Sequence, residues 1–113
     1  MWNAELMANS GAVISLLLGL VAVLRPDLIQ RFVSIRAIGK EGQSEIRATY
    51  GGFFIGIALY ALFTQSATAF TVIGAGWLGA ALIRLLTLLQ GAFSLKNLAG
   101  VGFEALVGWL CLA

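Results

Sequence analysis

Arg84 and Glu104 each interrupt an apolar run long enough to cross a bilayer. A charge in such a run costs about 2.5–3.5 kcal/mol on insertion scales, so it turns toward a partner, a pocket or water. The planar guanidinium can grip a carboxylate through two hydrogen bonds. Two uses of the pair follow. It can be an ion pair that pins two helices together. It can also be the floor of a polar pocket in which arginine meets an anionic or polar group while Glu104 holds the arginine or exchanges a proton. Glu45, Arg47 and Tyr50 fall at the start of another apolar run and can reach the same level. One ion pair suffices as glue, so the added Glu45-x-Arg47-x-x-Tyr50 favours a site. Trp77 precedes Arg84 by two helical turns on one face, either as a pocket wall or as bundle core.

Other chemistries are excluded or unsupported. The chain has no histidine, so imidazole catalysis and histidine-ligated metal sites are ruled out. Cys111 is the only cysteine, so no intramolecular disulfide or cysteine zinc site can form within one chain. Flanked by Leu110 and Leu112, it reads as a packed or lipid-facing thiol. No metal or cofactor is expected, and the usual machinery of an enzyme is missing. A net charge of +2 from seven basic residues gives no solvated basic stripe and no expectation of nucleic acid.

Composition says what must hold these residues. Of 113 residues, 60% are hydrophobic and 11% charged, and mean hydropathy is +0.97. A soluble domain carries about 25% charge. A soluble chain this small has too much surface to hide so much apolar area. The expected fold is all-α: one domain over residues 1–113, an integral membrane four-helix bundle with a short interfacial helix between spans one and two. The spans fall at about 6–24, 47–63, 68–89 and 94–113, close to the ~20 residues that cross a hydrocarbon core. The runs are continuous rather than alternating, which argues against a β-barrel. The start of the chain lacks the basic region and cleavage site of a secretory signal, so span one is expected to remain.

Arg25-Pro26 ends span one. Leu28, Ile29, Phe32 and Ile35 then recur at helical spacing, as in a helix lying on a membrane surface. Gly39-Lys40-Glu41-Gly42-Gln43-Ser44 reads as a flexible turn, with Ser44 or Glu45 capping span two. Thr64-Gln65-Ser66 and Gln90-Gly91-Ala92-Phe93 are short connections that force antiparallel neighbours.

Charge placement gives an orientation. Arg25, Arg31, Arg36, Lys40, Arg47 and Lys96 fall on one side, Arg84 lies in the membrane nearer that side, and the opposite side has no Lys or Arg. The positive-inside rule puts both termini outside the cytoplasm, periplasmic in a bacterial inner membrane. Trp2 and Trp109 read as anchors at the outer interface. Arg84 would lie roughly 8 Å and Glu104 roughly 15 Å from the cytoplasmic ends of their helices. Small residues at Gly11/Ser15/Gly19, Gly52/Gly56, Ala75-Gly76/Gly79-Ala80 and Gly100/Gly108 suit close helix packing, within one chain first and in a homodimer second.

The stretch Glu45-Ile46-Arg47-Ala48-Thr49-Tyr50-Gly51-Gly52 resembles the E-x-R-A-x-Y-G-G mark of a bacterial family of small four-helix membrane proteins of unknown function, similar in style to the DoxX-like proteins. Arg84 and Glu104 fall in the spans where that resemblance puts them, and it covers nearly the whole chain. It implies a helical bundle in the cytoplasmic membrane and supplies no agreed activity.

The favoured expectation is a non-catalytic module in contact with the lipid bilayer. It would hold a lipid or small amphipathic ligand at a site of Glu45, Arg47, Tyr50, Arg84 and Glu104, or serve as a subunit of a larger membrane complex or homodimer. The alternative is a small proton-coupled transporter using Glu104, as a dimer. Against it, the only proline, Pro26, lies outside the spans, and no pair of broken half-helices is evident.

Overall fold

Side-chain caps set where the long helices begin. Asn3 accepts the Leu6 N–H at 2.7 Å, Ser66 that of Ala69 at 3.3 Å, and Ser94 that of Asn97 at 3.0 Å. Pro26 opens a short helix at a position where its missing N–H costs nothing. Ser34 and Gln65 close helices in the left-handed region, at φ 60° and 53°. The computed structural model describes residues 3–113; the anchor role expected of Trp2 lies outside them. The elements are α1 (Ala4–Leu24), α2 (Pro26–Val33), α3 (Gly39–Ile46), a π-helical segment (Arg47–Gly52), α4 (Phe53–Thr64), α5 (Ala67–Thr87), a second π-helical segment (Leu88–Ala92) and α6 (Leu95–Leu112). The described residues contain no strand.

Two of the expected boundaries move. Gly39 to Ser44 is not a turn but helix, continuous with the next apolar run through Thr64. The Gly42 N–H bonds the Ile38 carbonyl at 3.0 Å, and the bare Cα of Gly42 lies against Ala37. Its glycine therefore serves close packing rather than a hinge. Since the helix already runs through Ser44 and Glu45, neither caps it. The following helix extends past Leu89 to Ala92, where Gln90 and Gly91 (φ 108°) leave helical geometry and turn the chain toward α6.

Four stretches are long and apolar enough to cross a membrane: Ala4–Leu24, Gly39–Thr64, Ala67–Ala92 and Leu95–Leu112. Around the molecule the order is α4, α1, α6, α5. The α5–α6 pair makes the most extensive contact, α1 packs against both α4 and α6, and α4 meets α5 only sparingly. Glycine permits the closest crossings. A β-carbon on Gly74 would stand 2.9 Å from the Gly108 carbonyl oxygen, and one on Gly19 would stand 2.8 Å from that of Gly51. The partners differ from the pattern read in the sequence. Gly51 and Gly74 face their neighbours, whereas Gly52, Gly56, Gly76 and Gly79 face outward.

Residue size sorts opposite to a soluble core. Ala12, Ala22, Ala58 and Ala61 have no exposure at all, while Leu17, Val72, Ile83 and Leu106 are each more than half exposed.

Candidate functional site

Arg84 sits near the end of α5 and extends across to α6. Its Nε donates to Glu104 Oε1 at 2.8 Å and its Nη2 to Glu104 Oε2 at 3.0 Å. Nη1 donates to Asn97 Oδ1 at 3.1 Å. The Asn97 amide is itself fixed, because its Nδ2 donates to the Ala92 carbonyl at 2.8 Å. Asn97, Gly100 and Glu104 recur at helical spacing on one face of α6. Gly100 leaves room for the arginine: a β-carbon there would lie 3.1 Å from both Cδ and Nε of Arg84.

Exposure within the cluster is uneven. The Glu104 side chain is 11% exposed and that of Arg84 32%. A guanidinium carries five N–H donors. Three are engaged here, which leaves one on each terminal nitrogen for another acceptor.

The five residues expected to cluster are only partly gathered. Ile46 is buried at 4% exposure. Rotation of about 100° per residue carries its neighbours Glu45 and Arg47 to either side, and both are exposed. Neither reaches Glu104 or Arg84. Among the described residues only Arg25–Asp27 and Arg84–Glu104 form ion pairs. Tyr50, one turn after Ile46 and inside the π-helical segment, stays on the inner side. It packs against the cluster of Ala22, Ile29 and Ile46. A π-helical turn inside an α-helix is a frequent feature of functional sites.

Trp77 joins three neighbouring helices. Its ring stacks on Phe54 of α4 at 5.4 Å and 7°, and Phe103 of α6 meets it edge-on at 5.9 Å. Its indole N–H donates to Ser15 of α1 at 2.9 Å. Phe103 in turn meets Phe32 of α2 edge-on at 6.2 Å. This aromatic row makes Trp77 part of the packed interior. Beyond it, Lys96 Nζ donates to Ser34 Oγ at 2.6 Å and to the Arg31 carbonyl, which ties α2 to the start of α6.

Two hollows lie away from the Arg84–Glu104 pair. One of about 420 Å3 opens beneath the segment joining α2 to α3, with Glu45, Thr49 and Tyr50 in its wall and neither Arg84 nor Glu104. The other, about 450 Å3, lies at the opposite end beside the reciprocal amide pair Asn9–Gln65. Among the described residues no group of three or more metal-ligating side chains occurs. Asn97 has no part in the sequence reading, and Gly100 and Ser15 enter it only as small packing residues; all three form contacts of the site or its wall. Their signal was spacing: Asn97 and Gly100 precede Glu104 by seven and four residues, and Ser15 lies between two glycines.

No family model, curated protein or solved structure matches the chain.

Proposed function

We propose that the chain is a multi-pass protein of the cytoplasmic membrane with both ends outside the cytoplasm. In this reading the Arg84–Glu104–Asn97 cluster is a non-catalytic site for the anionic or polar head of a lipid or small amphipathic molecule. Large aliphatic side chains outside and alanine inside suit lipid as the solvent. The six basic residues other than Arg84 fall at the end of the molecule that carries α2, and the other end has none among the described residues. Similarity of the Glu45–Gly52 stretch to small four-helix membrane proteins points the same way.

One observation carries the binding role. Arg84 is held rigidly by Glu104 and Asn97, yet is a third exposed with a donor left on each terminal nitrogen. A guanidinium fixed in this way is preorganised to receive an oxygen acceptor. The proton-carrier alternative gains less support, because both Glu104 oxygens already accept from Arg84.

The test is native mass spectrometry of protein released from membranes in mild detergent. The wild type should carry a reproducible small-molecule adduct that Arg84→Met loses. A bare wild-type protein, or the same adducts in the same number on Arg84→Met, counts against the site.

A further inference from the structure

We infer that the hollow beneath the α2–α3 connection is a second site, one that takes a zwitterionic lipid head bearing an ammonium and a phosphate. The inference rests on the membrane reading above but not on the Arg84 cluster.

The hollow is built by an ordered segment. Gln30 Oε1 accepts the Ala37 N–H at 2.7 Å, and the Ile35 N–H bonds the Gln30 carbonyl at 3.1 Å. These bonds fold residues 34–38 back over α2 and α3. Gly42 then packs against Ala37, closing the far side. The volume, about 420 Å3, falls within the ~300–1,000 Å3 of small-molecule sites.

The wall is mostly apolar, with charged residues at its border. Ile35, Ile38 and Ile46 supply apolar surface, and Ile38 is 85% exposed at its edge. Arg36 and Glu45, residues of opposite charge, both border the hollow and are exposed, and they form no ion pair with each other or with any other described residue. Thr49 and Tyr50 complete the lining. Two unlike charges flanking one space and left apart match a ligand that carries both signs. A phosphate would accept from the Arg36 guanidinium, and an ammonium would donate to the Glu45 carboxylate. The location fits a lipid head. The hollow sits where the amphipathic α2 meets the ends of the long apolar helices, which is headgroup level in the membrane reading. A purely anionic head would satisfy Arg36 and face Glu45 with like charge.

The experiment adds phosphatidylethanolamine or phosphatidylglycerol to delipidated protein in detergent and follows each complex by native mass spectrometry. Wild type, Glu45→Gln, Arg36→Gln and Arg84→Met are compared. Arg36 and Glu45 are exposed, so their variants should keep the wild-type unfolding midpoint. Wild type should prefer phosphatidylethanolamine, and each of the two rim substitutions should weaken that lipid by about tenfold, the loss of one charge-assisted contact. Arg84→Met should leave this preference intact, whatever becomes of the Arg84 site. Equal binding of the two lipids, or a preference that Glu45→Gln leaves unchanged, overturns the assignment. A preference lost in Arg84→Met alone also overturns it, because the lipid would then sit at the ion pair. Release of the protein into the aqueous fraction by alkaline carbonate overturns the membrane reading and this site with it.

Discussion

The side chain of Arg84 lies flat across Gly100, with Cδ and Nε each 3.1 Å from where a β-carbon would stand. The absent side chain on α6 is what lets an arginine from α5 cross to Glu104. Gly100→Ala asks the arginine to yield by a few tenths of an ångström. Gly100→Val asks for far more and should cost about 1–3 kcal/mol. The check is thermal unfolding in detergent. Gly100→Val should lower the midpoint clearly and Gly100→Ala slightly; equal midpoints for all three proteins would contradict the packing.

Removing one charge at a time should give unequal losses. Arg84→Met strands the almost buried Glu104 carboxylate, and the loss of a partner in such a pair costs about 3–5 kcal/mol. Glu104→Leu leaves Arg84 a third exposed and still bonded to Asn97, so its cost should be smaller. The double variant Arg84→Met/Glu104→Leu should be more stable than Arg84→Met alone. A double-mutant cycle on unfolding midpoints measures this; additive losses would mean the two residues act independently.

The pairing of Arg84 with Glu104 was legible because each is the charge interrupting an apolar run. The position of Asn97 was not, since a polar residue in the first turn of a helix reads as an end of span. Residues 39–44 look like a turn from their glycines and polar side chains. Burial of Ile46 and the close fit of Gly42 on Ala37 carry the helix through them instead. That same helix turns Glu45 and Arg47 away from the site expected to contain them. Tyr50 stays inside because it follows Ile46 by one turn. The all-helical fold was legible from the length and continuity of the apolar runs. Which glycines pack was not, because adjacent glycines such as 51 and 52 are separated only by the rotation of the helix.

Glycines on opposite faces should therefore respond oppositely to alanine. Gly74→Ala puts a methyl 2.9 Å from the Gly108 carbonyl oxygen and should cost about 1–3 kcal/mol. Gly76→Ala enters open space and should be neutral or stabilising by up to about 1 kcal/mol, the gain in helix propensity. Unfolding midpoints of the two variants decide it. A loss at Gly76 as large as that at Gly74 would show that the outward face is covered by another protein surface.

Acid should release the joint between α1 and α2 only at low pH. Hydrogen bonds from Arg25 to both oxygens of Asp27, at 3.2 and 3.0 Å, hold that carboxyl below its ordinary value. A lowered value in the folded state stabilises fully above the unfolded value of ~3.9 and loses that contribution as pH falls through the folded one. Between pH 8 and about 5 the pair should therefore contribute a constant amount. A carboxyl-carbon NMR titration of Asp27 should give a midpoint below that of an unfolded peptide, moving back up in Arg25→Gln. A midpoint at or above the peptide value would contradict the pair.

The most direct test of the central claim uses the charge-free double variant, because it separates binding from folding. Native mass spectrometry of wild type and Arg84→Met/Glu104→Leu, extracted identically in mild detergent, compares what each carries. The wild type should carry at least one more small amphipathic adduct than a double variant that remains helical by circular dichroism. The same adducts in the same number on the folded double variant would show that the Arg84–Glu104–Asn97 cluster holds helices together and binds nothing.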